Sequence, residues 1–526
     1  MRRAAVGVAA VVALVAPAVA SATAAHDAKV VRRGITHAVQ QRWVKPEDAQ
    51  RYRASVTRAL RDVSTLPKLR ANVIASQLSQ LTPLSSSYTS PRALTLFSQL
   101  ELNLSYFETN PLPSTRVDVA GDDGVVYRWF PRLGLEFHPL ANFGALNNDA
   151  ARNDPDATRL LAEALVARAI PHGGRLIWEY QFRFAGGRPP WASGMAQAVA
   201  AQALARASAL LEDTTLAAAA ARAFASVTPF LLTLPSGPWI RLYGFNGQIV
   251  LNAQLQTILS LLEYAQRFED PDASALAQQL SATAQSLFPR FDTGDWSRYQ
   301  LGGAYATREY ETFVTDLLAK LARQTQDPFW VATSQRFHAY LYSPPKVTQP
   351  APPPTIWPDG YLNTAPVQIT LSQRASVSLA VAGKVSTYRL GAGPHTLTWT
   401  PPVGLAAGTY PVKLSAVTYA GNRATFTLAP IVVQFDTLPP AITPTLAGTT
   451  LTWQADDPGT RWLALAVDLT DPTAVNPPQT LDLGQQPTNG TTILAVPPGT
   501  WQATLRATNS AGLTSTVPLG TIVQAG

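Results

Sequence analysis

From residue 138 to residue 343 the chain repeats one unit: an apolar period of helical length, a short polar or proline breaker, then another such period. The repetition predicts helices over 156–170, 195–211, 214–231, 250–267, 271–287, 309–323 and 328–342. Most begin just after a breaker such as Asp154-Pro155, Asp270-Pro271 or Asp327-Pro328. There the carboxylate can cap a helix, and the proline fits only its first turn. Helices of similar length with short returns pair with their neighbours. The region 116–343 is therefore expected to be mainly α, an (α/α) barrel or toroid, with a plain helical solenoid as the alternative. A small β portion opens it, from Val117 to Phe137, with a tight turn at Asp122-Asp123-Gly124. In either arrangement the longer loops gather at one end and form the expected site.

Residues 30–115 also read as helical. Tyr52, Val56, Leu60 and Val63 make one stripe, which Leu69, Val73, Ile74 and Leu78 continue after Pro67. The period changes at a proline-rich linker, 344–358. Beyond it, alternation such as "VSLAVAG" and "WLALAVDL" predicts two β-sandwich modules over 359–437 and 438–526, immunoglobulin- or fibronectin-like. They carry no clustered acids, bases or metal ligands. Spacers, or weak carbohydrate or wall binders, are the expected roles.

At 526 residues the chain has room for two to four domains. Its first twenty residues combine Arg2-Arg3, an apolar run from Ala4 to Ala16, and the small-x-small pattern Ala18-Val19-Ala20. Residues 1–20 therefore read as a secretory signal peptide, with an uncleaved anchor as the alternative. No other segment is long and apolar enough to span a bilayer. The expected location is secreted or at the cell surface, outside a bacterial cytoplasm. The absence of cysteine excludes disulfides, thiolate metal sites and cysteine nucleophiles. The net charge of +7, from 41 basic and 34 acidic residues, suits solubility alone or attraction to an anionic polymer. No spaced His/Asp/Glu cluster argues for a metal, and no cofactor or nucleic-acid partner is expected.

Four stretches of the helical region depart from what packing alone selects. His138 sits among apolar residues in "LGLEFHPLANFGALN", where a structural histidine bonded to the backbone is the plain alternative. Trp191 and Gln197 lie in "PPWASGMAQ", at the mouth of an alanine-rich helix. Arg241, Tyr243 and Asn252 fall in "WIRLYGFNGQIVLNAQLQ". The fourth stretch gathers Asp292, Trp296, Arg298, Tyr299, Arg308, Glu309, Tyr310 and Glu311. Polar and aromatic loops of this kind suit sugars, whose ring faces stack on aromatic side chains while hydroxyls take amides and carboxylates. A uronic acid adds a carboxylate that prefers an arginine fork.

The run from Trp191 to Gln197, ending in Arg206-Ala207, resembles the "W-x-S-x-M-A-Q … R-A" signature of the D-glucuronyl C5-epimerases. Val250-Leu251-Asn252 is similar to that family's "V-L-N-G" helix start. Phe291-Asp292-Thr293-Gly294 with Tyr299, Leu301 and Tyr310 resembles its "Y-D-T-G … Y-x-L … Y" block. Order and approximate spacing agree from about 127 to 342. The resemblance implies inversion at carbon 5 of D-glucuronate in an anionic, uronate-containing polysaccharide, giving L-iduronate; a homodimer would suit such an enzyme. It implies Tyr299 and Tyr310 as the acid/base pair and Tyr243 as a loop tyrosine. On chemistry alone, Arg298, Arg308 or Arg241 would hold the carboxylate, and Trp191 and Gln197 would line the rim of a sugar groove. Two positions depart from the family: its Glu-Tyr-Pro is Leu242-Tyr243-Gly244 here, and the histidine after its last tyrosine is Glu311. Glu309 or Glu311 is then the expected compensating acid.

The departures keep other readings open. One is a catalytically silent carbohydrate-binding surface protein on the same scaffold. Another is a polysaccharide lyase, whose chemistry begins with the same proton abstraction. A hydrolase would need a facing carboxylate pair, for which Asp292 with Glu309 is the candidate.

Overall fold

The computed structural model describes residues 12–360 and 362–525, with side chains from Thr23 onward. Most of the expected signal peptide lies outside the described residues. The described chain forms two compact units, one through Phe337 and one from His338. Among the described residues, no helix is long and apolar enough to cross a membrane.

The first unit opens with four helices, α1 (Val12–Gln40), α2 (Pro46–Thr65), α3 (Lys68–Leu81) and α4 (Ser90–Thr109). Tyr52 and Val56 are buried as their spacing predicts, but Leu60 and Val63 are only half-buried and Leu69 is 66% exposed. Leu69 sits in the first turn of α3, ahead of the stripe that Val73, Ile74 and Leu78 bury. A three-stranded antiparallel sheet follows, β1 (Asp118–Ala120), β2 (Val126–Phe130) and β3 (Gly134–Phe137). Gly134 at φ +125° is required: a side chain there would strike Gln77 and Asn103.

Beyond β3 come α5 (Pro139–Ala151), α6 (Pro155–Ala167), β4 (Ile170–His172), β5 (Arg175–Ile177), β6 (Glu179–Tyr180) and β7 (Trp191–Ala192). Then follow α7 (Gly194–Leu211), α8 (Thr214–Phe224), β8 (Leu231–Leu234), β9 (Gly237–Ile240), α9 (Leu251–Phe268), α10 (Pro271–Leu287), α11 (Arg308–Thr325) and α12 (Pro328–Tyr342). The breaker pattern finds six of these helices closely. It overextends α8, whose expected end at 231 is taken by a turn and β8, and it misses α5. The histidine-containing stretch singled out as a candidate site is a strand, a cap and a helix.

Three of the helix pairs turn on the same device. Asn153, Glu212 and Glu269 adopt left-handed backbone, with φ between 50° and 56°. The next residue is an aspartate with two jobs. The backbone N–H of Asp154, Asp213 and Asp270 closes the helix behind it, on Asp149, Ser208 and Ala265 respectively. Their carboxylates accept from the backbone N–H groups opening the helix ahead. Gln326 repeats the left-handed residue before Asp327 and α12. Each turn returns the chain alongside the helix it has just left, so α5 packs on α6, α7 on α8 and α9 on α10. The odd-numbered helices also pack in succession, α5 on α7, α7 on α9 and α9 on α11. α7 is buried on nearly every face, which its alanines permit, whereas α6, α8 and α10 bury one stripe each.

A polar cage fixes the small sheet to the leading helices. Glu136 is fully buried in β3 and accepts from Gln77 (2.8 Å), Gln80 (3.0 Å) and Gln99 (2.7 Å). Burial pushes its carboxyl up to about 7, against the three amide donors that favour the ion.

In the second unit each half pairs a three-stranded with a four-stranded antiparallel sheet. Strands 365–371 and 393–399 with 347–348 face the sheet of 375–381, 384–390, 408–418 and 423–433 over one core, which includes Val367, Val377, Trp399 and Leu414. The last half repeats this around Trp453, Leu465, Trp501 and Leu505.

Two measurements test these local devices. Asp270→Ala should lower the stability of the helical unit by about 1 kcal/mol in urea unfolding followed by circular dichroism. Glu269→Gly should raise it by about 1 kcal/mol, because glycine removes the left-handed penalty. Glu136 bears on pH. Its proton stays on in the fold after the unfolded chain has released it, so its contribution falls as the pH rises from about 4.5 to about 7. Glu136→Gln, which cannot ionise, should flatten that decline in the thermal midpoint; an unchanged slope would assign the pH dependence elsewhere.

Candidate functional site

A cavity of about 950 Å³ opens in the first unit. Its floor is aromatic. Trp191 begins β7, pairs in register with Tyr180 of β6, and stacks on that ring at 4.1 Å with an interplanar angle of 3°. Its indole N–H donates to the Phe182 carbonyl (2.8 Å), and Phe184, Tyr243 and Phe245 pack around it. Trp191 is only 7% exposed, so it is a packed wall and not an open rim.

Tyr243 rides on a short segment pinned by the backbone, with Gly194 N–H donating to Arg241 (3.0 Å) and Gly244 N–H to Ala192 (2.8 Å). Its neighbour Leu242 also lines the cavity, so an isobutyl group stands beside it. Tyr299 comes from the loop between α10 and α11, and Tyr310 from the first turns of α11; their rings meet edge to face at 4.9 Å. The Tyr310 hydroxyl accepts from the backbone N–H of Asn252 (3.1 Å) and lies 3.2 Å from that residue's Oδ1 and 3.1 Å from the Tyr299 carbonyl. Burial pushes the phenol of Tyr310 up, and burial with the adjacent Tyr299 hydroxyl does the same for Tyr243. Both are therefore protonated at neutral pH.

His138 lines the same cavity and N-caps α5, its Nδ1 accepting from the Ala141 N–H (3.1 Å). Burial, and after it the charge of Arg128, pushes the imidazole down to about 3. A neutral ring that accepts at Nδ1 carries its proton on Nε2, which makes His138 a donor and not a base. Its structural and site roles coexist. Asn142, one turn on, bonds both the N–H and the carbonyl of Val126 at 2.7 Å and ties α5 to β2.

The cations of the cavity are ones the sequence reading passed over. Arg116, Arg128 and Arg132 contribute to the lining. Arg128 is held by both oxygens of Asp118, its cross-strand partner, at 2.8 and 2.7 Å. Arg116 and Arg132 are exposed and have no ion-pair partner among the described residues. Charge alternating with aromatics around β2 was the available signal, but this short sheet lay apart from the motif-bearing helices.

Several expected contacts are corrected. Arg298 donates to the Gly303 carbonyl (2.6 Å) and covers the Tyr305 ring, Arg308 is exposed in the first turn of α11, and Arg241 is half-buried; none lines the cavity. Gln197 is fully buried, its amide spent on Trp178 and Ser193 backbone, because it anchors α7 to the preceding segment. Trp296 is buried and donates to Ala306 across its own loop (2.9 Å), and Asp292 pairs with Arg336 (2.8 Å). Glu309 is exposed. Glu311 is buried, and its Oε2 accepts from Ser297 N–H and hydroxyl, which steadies the loop bearing Tyr299. Burial pushes its carboxyl up to about 7. Neither glutamate lines the cavity, and neither does any other carboxylate among the described residues. The Asp292–Glu309 pair is thus not a facing pair in this cavity. Tyr243, Tyr299, Tyr310, Trp191, His138 and Asn252 are the expected residues that do come together.

No curated protein matches the chain. Among solved structures it is similar to endoglucanase Cel10, a family 8 glycosyl hydrolase from Klebsiella pneumoniae, at 14% identity over 40% of this chain and 73% of that one, with a TM-score of 0.31. Endo-β-1,4-glucanase CMCax from Acetobacter xylinum aligns at 14% identity over 46% and 76%, with a TM-score of 0.30. Fibronectin(III)-like modules of Clostridium thermocellum CbhA align at 13% over 34% and 94%, with a TM-score of 0.18. Superpositions this loose carry no inference. The match to a family is confined to residues 172–339, which hold the aromatic floor and all three tyrosines but not the arginines or His138. Over that segment the chain matches the D-glucuronyl C5-epimerase C-terminus family.

Proposed function

We propose that the chain is a secreted polysaccharide uronate epimerase, inverting carbon 5 of D-glucuronate within a polymer to give L-iduronate. One observation carries this reading: Tyr243, Tyr299 and Tyr310 come from separate segments and line one cavity with arginines. The family match over 172–339 supports it. On this reading the helical unit is an (α/α) toroid, and the two β units are immunoglobulin- or fibronectin-like sandwiches serving as spacers or wall contacts.

The proton at carbon 5 is very weakly acidic, so its removal needs the developing charge on the carboxylate to be met by cations. Arg116 and Arg132, which form no ion pair among the described residues, are suited to that task. Tyr299 as phenolate takes the proton from one ring face. Tyr310, kept as a phenol by burial, returns a proton to the other face. Tyr299 ends protonated and Tyr310 ionised, and a proton passing between them through Tyr243 resets the pair. His138 Nε2–H donates to a substrate oxygen. A second reading has its own support: Leu242 stands where the family carries an acid, and a site without a carboxylate suits a carbohydrate-binding protein that does not turn over.

Incubation with glucuronate-containing polymers in deuterated water separates the readings. Deuterium at carbon 5 with unchanged chain length is the expected result. Unsaturated ends mean a lyase, and binding without exchange means the silent protein. Tyr299→Phe and Tyr310→Phe should each reduce exchange by about a hundredfold or more while binding persists; full activity in both would remove the tyrosine assignment. Arg116→Ala and Arg132→Ala should each lower kcat by about tenfold or more with a smaller change in KM. Arg308→Ala, outside the cavity, should do neither.

A further inference from the structure

Behind the tyrosine cavity lies a second one of about 500 Å³, and Leu140, Met195 and Asn252 line both. The two are therefore neighbouring compartments. The second is built by the odd-numbered helices with a common spacing. On α7, Met195 is followed into it by Val199, Gln202 and Arg206, at intervals of four, three and four. On α9, Asn252 is followed by Gln256, Leu259 and Glu263 at the same intervals. A helix repeats its face at such intervals, so one whole stripe of each helix is turned to this space.

Those stripes are polar where a helix interior is ordinarily apolar. Part of that polarity is consumed structurally: Arg206 and Gln202 both bond Glu263, joining α7 to α9. Gln256 and Asn252 also have partners, in Ser260 and the Tyr310 hydroxyl, and the unspent groups lie on α5 and α11. Asn147 Oδ1 is buried without a hydrogen-bond partner. The side chains of Lys320 and Gln324 on α11 have no hydrogen bond or ion pair among the described residues. Phe313, also on α11, lines the compartment yet is 43% exposed. An aromatic face, free amides and one free cation are what an acidic oligosaccharide requires.

The geometry points to this compartment as a second saccharide-binding site, which holds the sugars flanking the uronate in the tyrosine cavity. Phe313 supplies a stacking face, Asn147 and Gln324 meet hydroxyls or amides, and Lys320 meets a carboxylate further along the polymer. The proposal rests on the reading of the substrate as a uronate-containing polysaccharide, and it adds where the chain runs beyond the reacting ring. Substrates long enough to enter both compartments then bind more tightly than short ones.

The test titrates the full protein calorimetrically with oligosaccharides cut from an unsulfated glucuronate–N-acetylglucosamine polymer, from disaccharide to decasaccharide, and follows carbon-5 exchange in parallel. The wild-type protein should bind the decasaccharide at least about tenfold more tightly than the disaccharide. Phe313→Ala and Lys320→Met should each lose most of that ratio, and Gln324→Ala part of it. The ratio is the readout because a folding defect weakens both lengths together. A wild-type affinity that does not grow with length overturns the proposal, as does a gain that survives in all three variants. A length-dependent gain lost in the variants, without deuterium exchange, keeps the compartment and removes the epimerase reading instead.

Discussion

The helical unit depends on a two-residue turn in which one residue is forced into left-handed backbone and the next, an aspartate, closes one helix and opens another. The conformation costs about 1–2 kcal/mol for a residue with a side chain. The cap returns about 1 kcal/mol, and Schellman-type bonds satisfy carbonyls that would otherwise be orphaned. The balance is close for any one turn. Repeated at Asn153-Asp154, Glu212-Asp213 and Glu269-Asp270, it fixes where each helix stops to within a residue. That precision lets α5, α7, α9 and α11 line up side by side and turn matching stripes toward shared space.

The chemistry of the site follows from burial more than from the identity of its residues. The phenols of Tyr243 and Tyr310 and the imidazole of His138 would titrate in two different ranges in water, yet in the cavity all three are held neutral. Two become phenolic donors and the third a neutral imidazole donor. The carboxylates that the sequence crowds around them are directed elsewhere: Asp292 to Arg336, Glu311 to Ser297, Glu263 to Arg206. The cavity is thus a place of hydroxyls, ring faces and cations, which is the complement of an acidic sugar.

Much of this was legible beforehand. Apolar periods set off by short breakers, Asp-Pro ahead of α6, α10 and α12, located the helices from α6 to α12 because capping and proline geometry act within a few residues. Tyr243, Tyr299, Tyr310, Trp191 and Asn252 were singled out from their motifs, and the cavity contains all of them. The failures share a cause. Gln197, Trp296 and Glu311 have the right chemistry for ligands, but each meets a backbone group or hydroxyl that its own loop or helix brings near. α5 was hidden because His138, an unusual cap, took the place of an aspartate ahead of its proline.

The sequence by itself determined the alternation of helix and breaker, the change to strands after the prolines, and the family likeness of residues 172–339, since these rest on spacing and on local backbone preference. Only the tertiary structure decided which polar groups remain free. Arg116 and Arg132 reach the cavity because a short sheet, pinned to distant helices by the buried Glu136 cage, is folded against the tyrosine-bearing segments. Arg298 and Arg308 stand beside the tyrosines in sequence and miss the cavity. Whether a charge serves a ligand or a neighbour depends on its partners in space, and the arginines of the cavity stand more than a hundred residues from Tyr243, Tyr299 and Tyr310.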